Sequence, residues 1–124
     1  MMNLTNSCII TNDVKKLSEF YEKVLQIEAE FYGEDYAVFR VGDNMLSVFD
    51  LKAHESIAPG SAQAELNKSI ILEFNVENVD EEYERLKKIN IDWVKEPTIQ
   101  PWGSRSFYLR DIDGNVISFY TPIK

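Results

Sequence analysis

Two periodicities alternate along this chain. Residues 4–11, LTNSCIIT, have the β-rich composition of a strand and end at the turn-like Asn12-Asp13. Asp13 is then placed to cap a helix. Apolar residues recur behind it at Val14, Leu17, Phe20, Tyr21, Val24 and Leu25, the spacing of one helical face. Three strand-like runs follow at 27–33, 35–41 and 45–51, and Gly42-Asp43-Asn44 marks a hairpin between the last two. Residues 52–67 are rich in Ala, Ser, Pro and Gly and read as a connector with room for a short helical piece.

The order then repeats. Residues 69–76 predict a strand. Asn78 or Asp80 can cap a helix with apolar positions Val79, Tyr83, Leu86 and Ile89. Residues 91–95 predict a short strand ended by Pro97, 98–103 a loop, and 104–110 and 115–121 two strands joined at Asp111-Ile112-Asp113-Gly114-Asn115. The chain thus predicts two copies of strand–helix–strand–strand–strand. Thr11-Asn12-Asp13-Val14 lies 65 residues before Val76-Glu77-Asn78-Val79, and the last hairpin turns lie 71 apart. The second copy has gained about six residues, which the Pro-Trp-Gly loop absorbs.

Composition narrows the function. A length of 124 residues suits one compact domain. Against 21 acidic residues there are 13 Lys and Arg, and the formal charge of −8 argues against a nucleic-acid partner. No run of 18 apolar residues exists to span a membrane. The N-terminus lacks the basic and apolar regions of a secretory signal. One Cys forms no internal disulfide, which fits a reducing cytoplasm. With one His and one Cys, any metal site must rest mainly on carboxylates.

Three segments resemble the vicinal oxygen chelate superfamily, which holds glyoxalase I, extradiol dioxygenases, fosfomycin-resistance enzymes and bleomycin-resistance proteins. The most specific is Trp102-Gly103-Ser104-Arg105 followed by Asp111-Ile112-Asp113-Gly114-Asn115, similar to a W-G-x-R…D-P-D-G-N pattern with Ile112 in place of Pro. Asn12-Asp13-Val14…Phe20-Tyr21…Val24-Leu25 and Val76-Glu77-Asn78-Val79-Asp80…Tyr83-Glu84-Arg85-Leu86 are the others. The resemblance implies an α+β fold: two βαβββ modules forming a cup-shaped mixed sheet with helices on the outer face. Residues 1–124 then form one domain, with module one at about 4–51, the connector at 52–67 and module two at about 68–122. It also implies that metal-dependent members take one ligand from the first strand and a Glu from the last strand of each module. By register those positions are Asn6, Ser47, Ile71 and Ser118. Ile binds no metal, and neutral Ser and Asn are poor ligands for a divalent cation, so neither metal nor other cofactor is expected.

Strand alternation separates candidate binding residues from core. Asn6, Cys8 and Ile10 share one face, and Ile71, Glu73 and Asn75 share another. Ser47 with Met45 and Phe49, and Ser118 with Val116 and Tyr120, complete the expected cup lining. Glu73 is its clearest charge, suited to a cationic group or to pairing Arg40, Arg105 or Arg110. Trp102 offers a face for a flat or cationic ligand, or packs its loop or a dimer seam. Arg105 either grips an anion or makes a structural salt bridge. Cys8 is expected to be a small buried residue, His54 an exposed one, and the 111–115 segment a turn with Gly114 or Asn115 at positive φ.

The binding set is therefore Glu73, Trp102, Arg105, Tyr120, Ser118, Ser47, Asn6 and Phe49, with no catalytic residue assigned. The expected function is that of the bleomycin-resistance branch, a metal-free, cytoplasmic homodimer that sequesters a cationic or aromatic small molecule. The alternative is a divergent lyase or dioxygenase whose metal is held by Glu73 with Glu28, Glu30 or Asp50. A third reading is an interaction domain with a vestigial cup.

Overall fold

The computed structural model describes residues 2–64 and 70–123, which fall into two compact units, residues 1–65 and 66–124. In chain order the elements are β1 Asn6–Thr11, α1 Val14–Leu25, β2 Glu30–Tyr32, β3 Tyr36–Val41, β4 Asn44–Asp50 and α2 Leu51–Glu55. There follow β5 Ile71–Asn75, α3 Val79–Leu86, β6 Asp92–Ile99, β7 Ser104–Arg110 and β8 Val116–Pro122. Each unit is one βαβββ module with a four-stranded mixed sheet, in the orders β1-β4-β3-β2 and β5-β8-β7-β6. In both, the first strand runs parallel to the last and the other pairs are antiparallel.

The helices start where their caps dictate. Asp13 accepts a hydrogen bond from the Lys16 amide at 3.0 Å, and Asn78 accepts one from Glu81 at 3.1 Å. Asp80, Glu81 and Glu82 fill the first turn of α3, where the macrodipole favours negative charge. In module one, Val14, Leu17, Tyr21 and Val24 of α1 are buried, as are Ala37, Phe39, Leu46 and Val48 of the sheet. In module two the core is Val79, Leu86, Phe107, Leu109, Ile117 and Phe119.

Several boundaries differ from the sequence expectation. β2 begins at Glu30 rather than 27, because Gln26 caps α1 in the left-handed conformation and the Ala29 amide donates to Glu22 Oε2 at 3.0 Å. β6 runs past Pro97 to Ile99, with shifts of register on both sides of Lys95. It is an edge strand, where a missing N–H is tolerated at a bulge. The expected loop therefore shrinks to a turn at 100–103. The short helical piece is α2, at the start of the connector; the connector's end, the module-two boundary at 68 and the strand start at Ser69 lie outside the described residues.

The turns follow expectation. Gly42 (φ 59°) opens the β3–β4 hairpin, and Gly114 (φ 88°) sits in the β7–β8 turn. There the buried Asp111 carboxylate accepts from the amides of Asp113 and Asn115 and from Asn115 Nδ2, at 2.8–2.9 Å.

Candidate functional site

In module two the α3 side of the sheet is apolar and the opposite side is polar and aromatic. Alternation on β5 leaves Ile71, Glu73 and Asn75 exposed while Leu72 and Phe74 are half-buried. On β8, Ser118 and Tyr120 share the Glu73 side; on β7, Ser104, Ser106 and Tyr108 do. These residues, with Trp102, Gly103 and Pro122, line a cavity of about 300 Å³, within the range of small-molecule sites. Strand register sets their order. Glu73 pairs with Ser118, which pairs in turn with Tyr108; one row along, Asn75, Tyr120 and Ser106 are aligned.

Trp102 reaches this site because its loop is tied down. The Gln100 amide donates to the Ser104 carbonyl at 2.7 Å, and the Gly103 amide to the Gln100 carbonyl at 3.1 Å. Gln100 is buried, and its Nε2 donates to Ser106 Oγ at 3.1 Å. Gly103 takes φ +89°, a conformation that other residues adopt at a cost, and its carbonyl accepts from the Ile123 amide. Trp102 is left 69% exposed at the cavity edge.

Of the residues singled out in the sequence, Glu73, Trp102, Ser118 and Tyr120 meet at this cavity. Arg105 points the other way, toward α3, and grips Asp80 with Nε and Nη2 at 3.0 and 2.9 Å. Those hydrogen bonds, and then the charge of the guanidinium, lower the Asp80 pKa; the same pair raises that of Arg105. Asn6, Ser47 and Phe49 belong to module one. Ser47 Oγ donates to Asn6 Oδ1 at 3.1 Å, and Phe49 meets the rings of Tyr36 and His54 edge-on. Sequence reasoning missed Ser104, Ser106 and Tyr108, although their period-two spacing with Arg105, Phe107 and Leu109 carried the signal.

Two further expectations are corrected. Cys8 is exposed rather than buried, because it lies on edge strand β1 on the face away from α1. His54 is half-buried on α2, packing on Phe49, with Nε2 2.7 Å from Ser61 Oγ.

The positions that match the metal ligands of metal-dependent relatives carry residues poorly suited to a metal. In module one, Asn6 and Ser47 are spent on each other. In module two, Ile71 has no donor atom and Ser118 offers a neutral hydroxyl. Of the carboxylates proposed to join Glu73, Glu30 pairs with Arg40 at 2.9 Å and Asp50 caps α2 through the Ala53 amide. Among the described residues no three His, Cys, Asp or Glu side chains gather into a metal-holding group.

Duplicated βαβββ modules, each closing its first strand on its last, define a vicinal-oxygen-chelate type of fold. The chain belongs to the Glyoxalase/Bleomycin resistance protein/Dioxygenase superfamily, whose family model matches residues 3–119. It is similar to the uncharacterised protein YraH of Bacillus subtilis (strain 168), with 27% identity over 125 residues, covering 96% of this chain and 98% of that one. A glyoxalase/bleomycin resistance protein/dioxygenase from Nocardioides superposes with a TM-score of 0.85 at 20% identity, over 100% of this chain and 85% of that one. A family enzyme from Burkholderia phytofirmans PsJN gives 0.84 at 18% identity, over 98% and 100%. At such identities these two structures speak to the fold. No described helix is long and apolar enough to cross a membrane.

Proposed function

We propose that this protein binds and sequesters a small cationic molecule bearing an aromatic ring, in the module-two cavity and without a metal ion. One observation carries the proposal. Glu73 sits at a cavity of about 300 Å³ walled by Trp102, Tyr108 and Tyr120, and makes no ion pair among the described residues. Aromatic faces attract cations, and an unpaired carboxylate beside them adds a counter-charge. The net charge of −8 would draw cations toward the protein at low salt. Family membership alone leaves the chemistry open, since one fold hosts many activities. The proposal takes both modules as one domain of a cytoplasmic homodimer; light scattering at the mass of a single chain would contradict the dimer.

Calorimetric titration with two ligands of matched shape tests the reading. 2-Phenylethylamine should bind at least about tenfold more tightly than 3-phenylpropionate, a gap of ~1.4 kcal/mol. Equal affinities would refute it. A stoichiometric divalent ion in protein purified without chelator, with lyase or dioxygenase activity that depends on it, would favour an enzyme instead.

A further inference from the structure

We propose that the ligand of the module-two cavity carries an anionic group at the end away from its ammonium, and that Lys95 receives it. The proposal rests on the reading that Glu73 takes the cationic end, and it adds the other end. Strand register lays out the cavity side of the sheet row by row. Glu73 on β5, Ser118 on β8, Tyr108 on β7 and Lys95 on β6 stand in one row. Partners directly opposite each other across a ladder project to the same side, so Lys95 shares the side of Tyr108 and Glu73. β5 and β6 are the two edges of this sheet. With neighbouring strands about 4.8 Å apart, the row is roughly 14 Å long from backbone to backbone.

Charge on this side of the sheet is separated. Among the described residues, register places Glu73 at one edge and Lys95, Asp92 and Arg110 toward the other. Asp92 is the register partner of Arg110, whose Nη1 donates to the Gly114 carbonyl at 3.1 Å. A carboxylate therefore stands at the β5 edge, and positive charge prevails at the β6 edge. Glu96 follows Lys95 in the irregular part of β6 and has no register partner on β7. Lys95 and Glu73 are both exposed, and neither makes an ion pair among the described residues. Tyr108 stands beside Lys95 and lines the cavity. A lysine stem can lie along such a ring and carry its ammonium to the cavity rim.

A ligand with only a cationic group satisfies Glu73 and leaves Lys95 without a counter-charge. An aromatic zwitterion with its charges at opposite ends satisfies both. Its ammonium meets Glu73, its ring meets the aromatic wall, and its carboxylate accepts from Lys95 Nζ. An α-amino acid does not suit this layout. Its carboxylate sits beside its ammonium, and so beside Glu73, where like charges repel.

Calorimetric titration compares 4-(2-aminoethyl)benzoate, its methyl ester, phenylalanine, 2-phenylethylamine and 3-phenylpropionate on the wild-type protein, on Lys95→Gln and on Lys95→Arg. The wild type should bind the benzoate about three- to fivefold more tightly than the ester, the scale of an exposed ion pair. Lys95→Gln should bring that ratio close to one by weakening the benzoate alone, and Lys95→Arg should keep it. Both variants should keep the wild-type Tm, since Lys95 is exposed on an edge strand. Phenylalanine should bind no more tightly than 2-phenylethylamine. Equal wild-type affinities for benzoate and ester would overturn the proposal. So would a preference that survives Lys95→Gln or is lost in Lys95→Arg, or tighter binding of phenylalanine than of 2-phenylethylamine. In those cases the cation reading stands provided 2-phenylethylamine outbinds 3-phenylpropionate. If it does not, that reading falls and takes this one with it.

Discussion

Replacing Phe107 by Ala is expected to destabilise the protein by about 3–5 kcal/mol and to lower Tm by roughly 10–20 °C. Phe107 is 0% exposed on β7 and stands at the centre of an aromatic cluster. Its ring centroid lies 5.6 Å from Tyr83 of α3, 5.7 Å from Trp93 of β6 and 5.3 Å from Phe119 of β8. Truncation removes the ring's burial and leaves a void that four separate elements would have to close. Phe107→Leu keeps most of the volume and should cost far less, below about 1.5 kcal/mol. The effect reaches the cavity because Phe107 lies between Ser106 and Tyr108 on the same strand, facing the other way. Urea unfolding of the two variants checks this. A loss below about 1 kcal/mol for Phe107→Ala would mean that the cluster is not what holds β7 in place.

Glu73→Gln is expected to weaken 2-phenylethylamine binding by about 10–100-fold, or ~1.4–2.7 kcal/mol, while leaving 3-phenylpropionate unchanged or slightly improved. Gln keeps the shape and an acceptor oxygen but removes the charge. Glu73 is exposed on β5 and makes no ion pair among the described residues, so the substitution should alter stability by no more than about 0.5 kcal/mol. Loss of binding can then be assigned to recognition. Because the carboxylate is exposed, wild-type affinity should also fall as salt rises, and that dependence should flatten in the variant. Calorimetry at two salt concentrations reads both effects. An unaltered affinity would show that the carboxylate does not recognise the ligand.

Much of the fold was legible because its signals are local. Asp13 and Asn78 stand directly before runs with helical spacing, and both prove to be caps. Gly42 and Gly114 fall where strands must reverse. The 65- and 71-residue offsets of the repeat reappear in the register: Cys8 with Ser47 and Glu73 with Ser118 are the same pair in the two modules. What escaped depends on partners distant in sequence. The bulges that carry β6 past Pro97 arise from its pairing with β7. Arg105 read equally as an anion ligand or a salt bridge, and its partner Asp80 lies 25 residues earlier, on α3.

The site was partly legible for the same reason. Alternation placed Glu73, Ser118 and Tyr120 together on faces turned away from the helix. It applied equally to Ser104, Ser106 and Tyr108, yet the W-G-x-R resemblance drew attention to Arg105, which alternation puts with the core. That the buried Ser118 hydroxyl has no hydrogen-bond partner among the described residues leaves no trace in the sequence. Whether a buried oxygen finds a donor is settled by the surrounding strands, not by its neighbours in the chain.

The central claim is that module two holds the ligand. Amide and indole NMR shifts during titration with 2-phenylethylamine test it most directly. The largest changes should fall at Glu73, at 102–106 including the Trp102 indole N–H, and at Ser118 and Tyr120. Shifts concentrated instead on α3, or on the module-one strands around Asn6 and Ser47, would contradict the claim, as would a spectrum that the amine leaves unchanged.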